Sequence, residues 1–518
     1  MSTIAPNPPV QNPPTQKTPV WGLAIASFLP TKVRTKTQSW MRHLPLALIL
    51  IIQAALTLRL SNTAQRDEGL YIWTGYRMVD NWLTGAPLYD EPARYFSGAP
   101  AVYPVIASAL DVVGGLELVR MFSLVLMLAA TVALHAVAKR LFHAKAAFWT
   151  AAAFAVAGPT LFLGHFATFD AMALSLLALA MAAGVRAVQK RQFAWVAGVA
   201  MLLSLAVVTK YAALMFVPFV LAVIWLTPGR RWNSVRFATC AALLTAGLLA
   251  LVGLTVGRSA LEGLMTTTTD RDAIDVASWQ DIALLTMASI WPYLVVGLIA
   301  AGYIALRLRR PLLALVLLGA MLAPATYQAY IGESVSLEKH LGFGLVFIAL
   351  AIGALLAAPT VHPIRRVISV VVLGVMAIAG LASSHHLFEG WSNTEELGDV
   401  MAYSWEATPY MRTLGDVGEP LRYRFLDQTE EWQWTTTDSI FYDGKRGLEA
   451  AEAGLNDRYW QYVYLDGTTE ESRQLIPQME SFGYKLTNTI ELENHYGPDT
   501  FYIWENYDAP RGAAAEQG

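Results

Sequence analysis

The sequence predicts a polytopic α-helical membrane protein of about eleven spans with a small α/β domain at its C-terminal end. Composition is the first observation: 55% of the 518 residues are hydrophobic and 15% are charged. A soluble chain carries about 25% charged residues. Second, the deficit is concentrated in charge-free runs such as 237–257, 283–306, 312–331 and 341–361. Each is near the roughly 20 residues that a spanning helix needs. Third, residues 385–518 hold twenty-five of the forty acidic residues and nine of the thirty-seven basic ones. That stretch reads as a soluble domain.

Residues 1–42 are Pro-rich and polar, with Lys17, Lys32, Arg34, Lys36 and Arg42. They read as a disordered basic tail, too long and too polar for an ordinary cleaved signal peptide. The membrane domain is expected over 43–384. Lys and Arg then recur in clusters at 139–145, 186–191, 230–236, 307–310 and 365–366. Placing each cluster in the cytoplasm gives spans at 43–60, 118–138, 146–163, 167–185, 193–209, 211–227, 237–257, 283–306, 312–331, 341–361 and 367–384. The N-terminus is then cytoplasmic and the C-terminal domain extracytoplasmic, in a cell membrane (plasma or inner). All fifteen Asp and Glu residues before position 385 fall on the outer side of this arrangement, although they were not used to build it.

The first outer loop, 61–117, is long. "EGLYIWTGYRMVDNWLTG" mixes apolar and polar residues and predicts an amphipathic helix in the interface. "YFSGAPAVYPVIASALDVVGG" is apolar but broken by Pro100 and Pro104, which predicts a kinked re-entrant or interfacial helix. In the C-terminal domain, "LRYRFLD", "WQYVYLDG", "YKLTNTIELE" and "TFYIWENY" predict strands. "GLEAAEAGL" and "TEESRQLIPQMESFG" predict helices. The final "APRGAAAEQG" reads as a tail.

The single cysteine, Cys240, excludes an internal disulfide and a thiolate metal site. A net charge of −3 gives no sign of nucleic-acid binding. The polar residues at span ends carry more information. An ionisable residue at membrane depth costs roughly 2.5–3.5 kcal/mol on the insertion scale. Asp67 and Glu68 stand near the start of the first outer loop, just after the first span. Asp170 and His165 fall in the tight hairpin "GHFATFDAMA". Lys210, Lys339 with His340, and Arg120 all map to the outer side. Each has a bland reading: a solvated turn aspartate or helix cap for Asp170, a snorkelling lysine for Lys210, a surface pair with Glu338 for Lys339. The sharper reading is one outer cavity with a carboxylate cluster and cations suited to an anionic lipid headgroup.

"RDEGLY", "LTGAPLYDEPARY", "GAPAVYP", "LELVRMFS", "HFATFDAMA", "TKYAALM" and "SLEKHLGFGL" follow one another in this order. The set resembles the GT-C membrane glycosyltransferases, in the branch of the protein O-mannosyltransferases and the lipid A aminoarabinose transferase. The resemblance implies a GT-C fold and transfer of a sugar from a polyprenyl-phosphate donor to a hydroxyl of a lipid, glycan or protein acceptor, with inversion. It implies Asp67 as general base with Glu68 in support, and Lys210, Lys339, His340 and Arg120 as contacts of the donor phosphate. Asp170 and His165 would orient the acceptor or a metal. No cofactor is required; a divalent cation held by Asp67, Glu68 and Asp170 is compatible with the pattern. The element "SGAPAVYP" lacks the basic residue usual there, which shifts the phosphate contact toward Lys210 and Lys339. A transporter or flippase for a lipid-linked or anionic substrate is the main rival. It predicts mid-span charges and repeated halves.

Overall fold

A computed structural model describes residues 33–88, 92–229, 231–255, 276–359, 363–408 and 410–506. The expected tail up to residue 32, part of the fourth outer loop (256–275), residues 89–91 of the first outer loop and the last twelve positions lie outside the described residues. The chain divides into a short unit, Met1–Leu48, and a main unit, Ile49–Gly518. Where the short unit is described it is helical: α1 runs Val33–Thr57, beginning ahead of the expected position 43.

The main unit contains the membrane domain and the C-terminal sheet together. Seven helices among the described residues are long and apolar enough to cross a membrane. They are α3 (Tyr103–Leu141), α6 (Phe169–Lys190), α9 (Arg231–Thr255), α10 (Trp279–Leu306), α11 (Pro311–Ile331), α12 (Leu337–Leu356) and α13 (Pro363–Phe388). Shorter apolar helices fall at His43–Thr57, Trp195–Thr209 (α7) and Tyr211–Trp225. Two expected spans are interrupted. The run 146–163 is split into α4 (Ala144–Ala155) and α5 (Gly158–Leu163), because Pro159 lacks the amide a continuous helix needs. The run 211–227 opens as a 3₁₀ turn over Tyr211–Phe216 and becomes α-helical as α8 (Val217–Trp225), with Pro218 in its first turn.

The segment expected as the first outer loop carries two helical stretches. The amphipathic α2 (Arg66–Thr84) buries Glu68, Tyr71, Ile72 and Gly75 on one face. These positions follow the i, i+3, i+4, i+7 spacing of a helical stripe. Within α3 the helix breaks at Gly114 and Gly115. Gly115 adopts φ 65°, ψ −170°, a conformation open essentially to glycine alone. The break separates a loop helix from the membrane-crossing part that begins near Arg120.

The C-terminal region forms a five-stranded mixed sheet in the order β2-β1-β5-β7-β6, beside a separate antiparallel pair of β3 (Phe441–Tyr442) and β4 (Lys445–Arg446). β1 (Thr413–Gly415) pairs in parallel with β2 (Trp434–Thr436) and β5 (Tyr462–Leu465). β6 (Lys485–Asn494) and β7 (Gly497–Glu505) form an antiparallel hairpin on β5. Side chains alternate along β5. Tyr462 and Tyr464 join one core with Trp405, Phe425 and Trp434, while Val463 and Leu465 join the other with Leu414, Leu455 and Trp460. Helices α14 (Glu395–Ala407) and α15 (Glu419–Arg424) serve the first core; α16 (Gly447–Asn456) and α17 (Glu470–Leu475) serve the second. "LRYRFLD" is not a strand: it lies in α15 and the turn after it. Leu421 and Phe425 are spaced i, i+4 and both are buried, so helical spacing fits the same apolar residues that alternation fits.

Candidate active site

The carboxylates and cations picked out in the sequence come together at one end of the helix bundle. Three carboxylate–cation pairs are formed there, and they differ in burial.

Glu68 and Arg120 make the most enclosed pair, both 0% exposed. The Arg120 guanidinium donates from Nε to Glu68 Oε1 at 2.9 Å and from Nη2 to Oε2 at 2.7 Å. Glu68 Oε1 also accepts from the Ala167 amide at 2.7 Å, and Oε2 from the Gln65 amide at 2.9 Å. The last bond belongs to a capping box, in which the Gln65 side chain caps the start of α2 and Glu68 returns to the Gln65 amide. Arg120 directs its other donors to the carbonyls of Asn62 (2.9 Å) and Thr63 (3.2 Å) and to Glu117 (3.5 Å). Phe388 covers it, with the guanidinium 5.3 Å from the ring centre. Arg120, expected as a phosphate contact, is thus turned wholly into the protein. Its role here is to hold Glu68, and Glu68 in turn ties α2 to the segment before α6.

Asp67 and Lys339 make the most open pair. Lys339 Nζ donates to Asp67 Oδ2 at 2.5 Å; the side chains are 16% and 28% exposed. Lys339 sits in the first turn of α12, and Asp67 in the first turn of α2. The Lys339 ammonium also lies 5.6 Å from the Phe166 ring centre.

Asp170 and Lys210 make a third pair, 1% and 3% exposed at the side chain. Lys210 Nζ donates to Asp170 Oδ1 at 2.5 Å, and the Thr168 hydroxyl to Oδ2 at 3.0 Å. This is neither a solvated turn aspartate nor a snorkelling lysine. Lys210 is positioned from behind by the segment Ser97–Ala99. Tyr211 N donates to Ser97 O and Ala99 N to Val208 O, each at 2.8 Å. Gly98 sits between these bonds, and a Cβ there would meet the Thr209 carbonyl oxygen at 2.1 Å. Tyr71 stacks on Phe169 at 4.6 Å, and Lys210 lies 4.9 Å from the same Phe169 ring. Lys339 and Lys210 both act electrostatically on Asp170, so the two pairs form one cluster.

The remaining expected residues are arranged differently. His165 is 3% exposed and stacks on Phe388 at 5.9 Å. Its Nε2 lies 3.4 Å from Glu117, an ion-pair distance without hydrogen-bond alignment. His340 is half-buried in the first turn of α12. A divalent cation on Asp67, Glu68 and Asp170 does not fit this arrangement, because both Glu68 oxygens are taken by Arg120 and two amides. Among the described residues no group of three His, Cys, Asp or Glu side chains is placed to hold a metal ion.

The C-terminal domain packs on the same loop. Arg66, beside Asp67, contacts Glu419 at 3.1 Å and also Asp438. Burial pushes the Asp438 carboxyl up, but Arg66 and the Thr436 hydroxyl outweigh it and hold it below the usual carboxylate range. Asp111 accepts from Tyr423 at 2.7 Å and from Tyr76 at 2.9 Å. Trp391 Nε1 donates to Thr63 O at 3.2 Å. None of Asn62, Thr63, Asp111 or Trp391 stood out in the sequence. Only the Gln65–Glu68 capping spacing offered a local signal.

Residues 97–255 match the sequence model of the family described as dolichyl-phosphate-mannose-protein mannosyltransferase. No curated protein matches in sequence. Among solved structures, ArnT from Cupriavidus metallidurans in the apo state aligns over 92% of this chain and 99% of its own, at 13% identity and TM-score 0.56. The same protein bound to undecaprenyl phosphate aligns over 92% and 99%, at 14% identity and TM-score 0.53. The Archaeoglobus fulgidus oligosaccharyltransferase AglB, in complex with an inhibitory peptide and a dolichol-phosphate, aligns over 90% of this chain and 75% of its own, at 11% identity and TM-score 0.54. The chain has the GT-C fold.

Proposed function

We propose that this chain transfers a sugar from a polyprenyl phosphate to an acceptor hydroxyl at one face of the membrane, with inversion. The observation that carries the reading is the half-open contact of Asp67 with Lys339, at 2.5 Å, beside the buried Asp170–Lys210 pair. A phosphate on an anomeric carbon is already a good leaving group. It needs cations, and Lys339 with Lys210 behind it and His340 beside it supplies them. The acceptor hydroxyl is a poor nucleophile and needs a base, for which Asp67 is the carboxylate open to solvent. The acceptor oxygen attacks the anomeric carbon as its proton passes to Asp67. The bond from that carbon to the phosphate oxygen breaks, and its electron pair leaves with the polyprenyl phosphate. Asp170 orients Lys210, while Glu68 and Arg120 fix the start of α2. The match to the mannosyltransferase family over 97–255 supports this reaction class. So does the polyprenyl phosphate that structural neighbours are described as binding.

The test uses purified protein in detergent and radiolabelled sugar, supplied as polyprenyl phosphate or as nucleotide conjugate, with a crude envelope acceptor. Transfer is expected from the lipid form alone. Asp67→Asn should lower turnover by about 10²–10⁴-fold, the usual worth of a general base, while donor binding persists. Transfer from the nucleotide form without lipid carrier, or Asp67→Asn retaining more than half of wild-type turnover, would sink the proposal.

A further inference from the structure

The end of the bundle opposite Asp67 carries a feature that sugar transfer does not use. Arg120 and Arg140 lie on one helix, α3, separated by about 30 Å of rise, the thickness of a bilayer's hydrocarbon core. At the Arg140 end two cavities open side by side and share Ala187. The first, about 240 Å³, is rimmed by Arg140, Arg186, Gln192 and Trp195 over a floor that includes Ala136 and Ala183. The second, about 280 Å³, is rimmed by Arg191, Asn233 and Arg236, with Phe193 and Phe237 beside them.

The charges here are uncompensated. The sequence has no Asp or Glu between Glu117 and Asp170, or between Asp170 and Glu262. Among the described residues no ion pair involves Arg140, Arg186, Arg191 or Arg236. Their recorded contacts are modest. Arg140 donates to Gln189 at 3.3 Å, and Arg236 lies 5.9 Å from the Phe193 ring centre. Phe193 and Trp195 remain 48% and 47% exposed, as aromatic side chains do where they meet the interface of a bilayer.

We propose that the paired cavities form a headgroup site for an anionic membrane phospholipid. Arginines from different helices converge on the phosphate, and guanidinium forks suit phosphate oxygens. The alanine floor accommodates the first methylenes of an acyl chain, and Trp195 and Phe193 lie at the level of the glycerol. A soluble anion would leave that floor wet. A zwitterionic lipid would bring an ammonium toward arginines that have no acidic neighbour. The site concerns the bilayer opposite the Asp67 cluster, so it stands independently of the proposed transfer reaction.

The experiment titrates purified full-length protein in detergent with dioleoyl phosphatidylglycerol or dioleoyl phosphatidylcholine, read by native mass spectrometry. Phosphatidylglycerol should bind at least about tenfold more tightly than phosphatidylcholine. Arg186→Gln with Arg191→Gln should weaken it by about fivefold for each arginine removed. Arg186→Lys with Arg191→Lys should hold binding within about threefold, which separates loss of charge from loss of fold. Lys145→Gln with Arg231→Gln, basic positions outside the cavity rims, should leave binding intact. Equal affinity for the two lipids would overturn the proposal. So would equal loss in the Lys145/Arg231 variant, or displacement of the lipid by millimolar inorganic phosphate.

Discussion

Glu68→Gln removes a carboxylate that the fold buries completely against Arg120. Read as a supporting carboxylate beside Asp67, Glu68 should tolerate an amide better than Asp67 does. The geometry reverses this for stability. The Glu68 carboxylate is fully buried and accepts from Arg120 twice, from Ala167 N and from Gln65 N. An amide keeps the size but offers one acceptor atom and turns an N–H toward donors. Arg120, itself 0% exposed, is left as a buried cation with its main partner gone. Breaking one side of a buried pair costs about 3–5 kcal/mol. Asp67→Asn, at a side chain 28% exposed, should cost about 1 kcal/mol or less. The assay is thermal unfolding of both variants in one detergent, with Arg120→Met and Glu68→Gln/Arg120→Met completing a double-mutant cycle. Glu68→Gln should unfold about 2–4 °C below Asp67→Asn, because in a chain of 518 residues each kcal/mol moves the midpoint by about 1 °C. The double variant should recover part of the loss, because no charge then remains buried. Equal midpoints for Glu68→Gln and Asp67→Asn, or a double variant whose losses simply add, would refute the assignment of Glu68 and Arg120 to the frame.

Other expectations follow from the same contacts. Gly98→Ala places a methyl against the Thr209 carbonyl oxygen at 2.1 Å and must displace the loop segment that seats Lys210; it should cost about 1–3 kcal/mol and raise the KM for donor, measured by donor titration. Arg66→Gln removes contacts at a side chain 53% exposed and should shift the unfolding midpoint little, about 1 kcal/mol or less, because the C-terminal domain is also held by Asp111 and Trp391. In the C-terminal domain, burial, reinforced by Asp416, pushes the Asp466 carboxyl up to about 7. The folded chain therefore binds a proton that the unfolded chain has already released above the ordinary carboxylate range. The stability it contributes is present in acid and is lost as pH rises toward 7. Asp466→Asn should flatten that loss between pH 5 and 8 in unfolding scans; an unchanged slope would count against the shared proton.

The helical spans were legible because hydropathy and Lys/Arg placement need no knowledge of tertiary contacts. Interruptions were less so, although Gly158–Pro159 carries the local signal for the break between α4 and α5. In the C-terminal domain β5, β6 and β7 follow from long β-rich runs. β1 and β2 are three residues each and exist because β5 offers an edge to β1, and β1 in turn offers one to β2. No local pattern specifies such strands. At the site, the residue types were legible and the partners were not. Asp67 meets Lys339 across 272 positions, and Asp170 meets Lys210 across 40. Spacing does not separate the doublet: Glu68 stands three, four and seven residues before buried Tyr71, Ile72 and Gly75, and Asp67 stands four and seven before buried Tyr71 and Thr74. The contacts with Arg120 and the Ala167 amide are what assign the buried role to Glu68.

The order of burial among the three pairs bears on how the site would work. Taking an ion out of water costs several kcal/mol, and a well-hydrogen-bonded opposite charge offsets it. Glu68–Arg120 and Asp170–Lys210 meet that condition with extra donors from amides and the Thr168 hydroxyl, so neither has cause to part. Asp67–Lys339 is the exception. It is the most solvated of the three, and no further side-chain hydrogen bond to either Asp67 oxygen is recorded among the described residues. An arriving phosphate competes with Asp67 for Lys339 from the side that water already reaches. In the proposed reaction one exchange then does two things. Lys339 acquires the phosphate it must stabilise, and Asp67 is released from its ion pair to face the acceptor hydroxyl. Binding of the donor would free the base, and a site without donor would hold the carboxylate on Lys339.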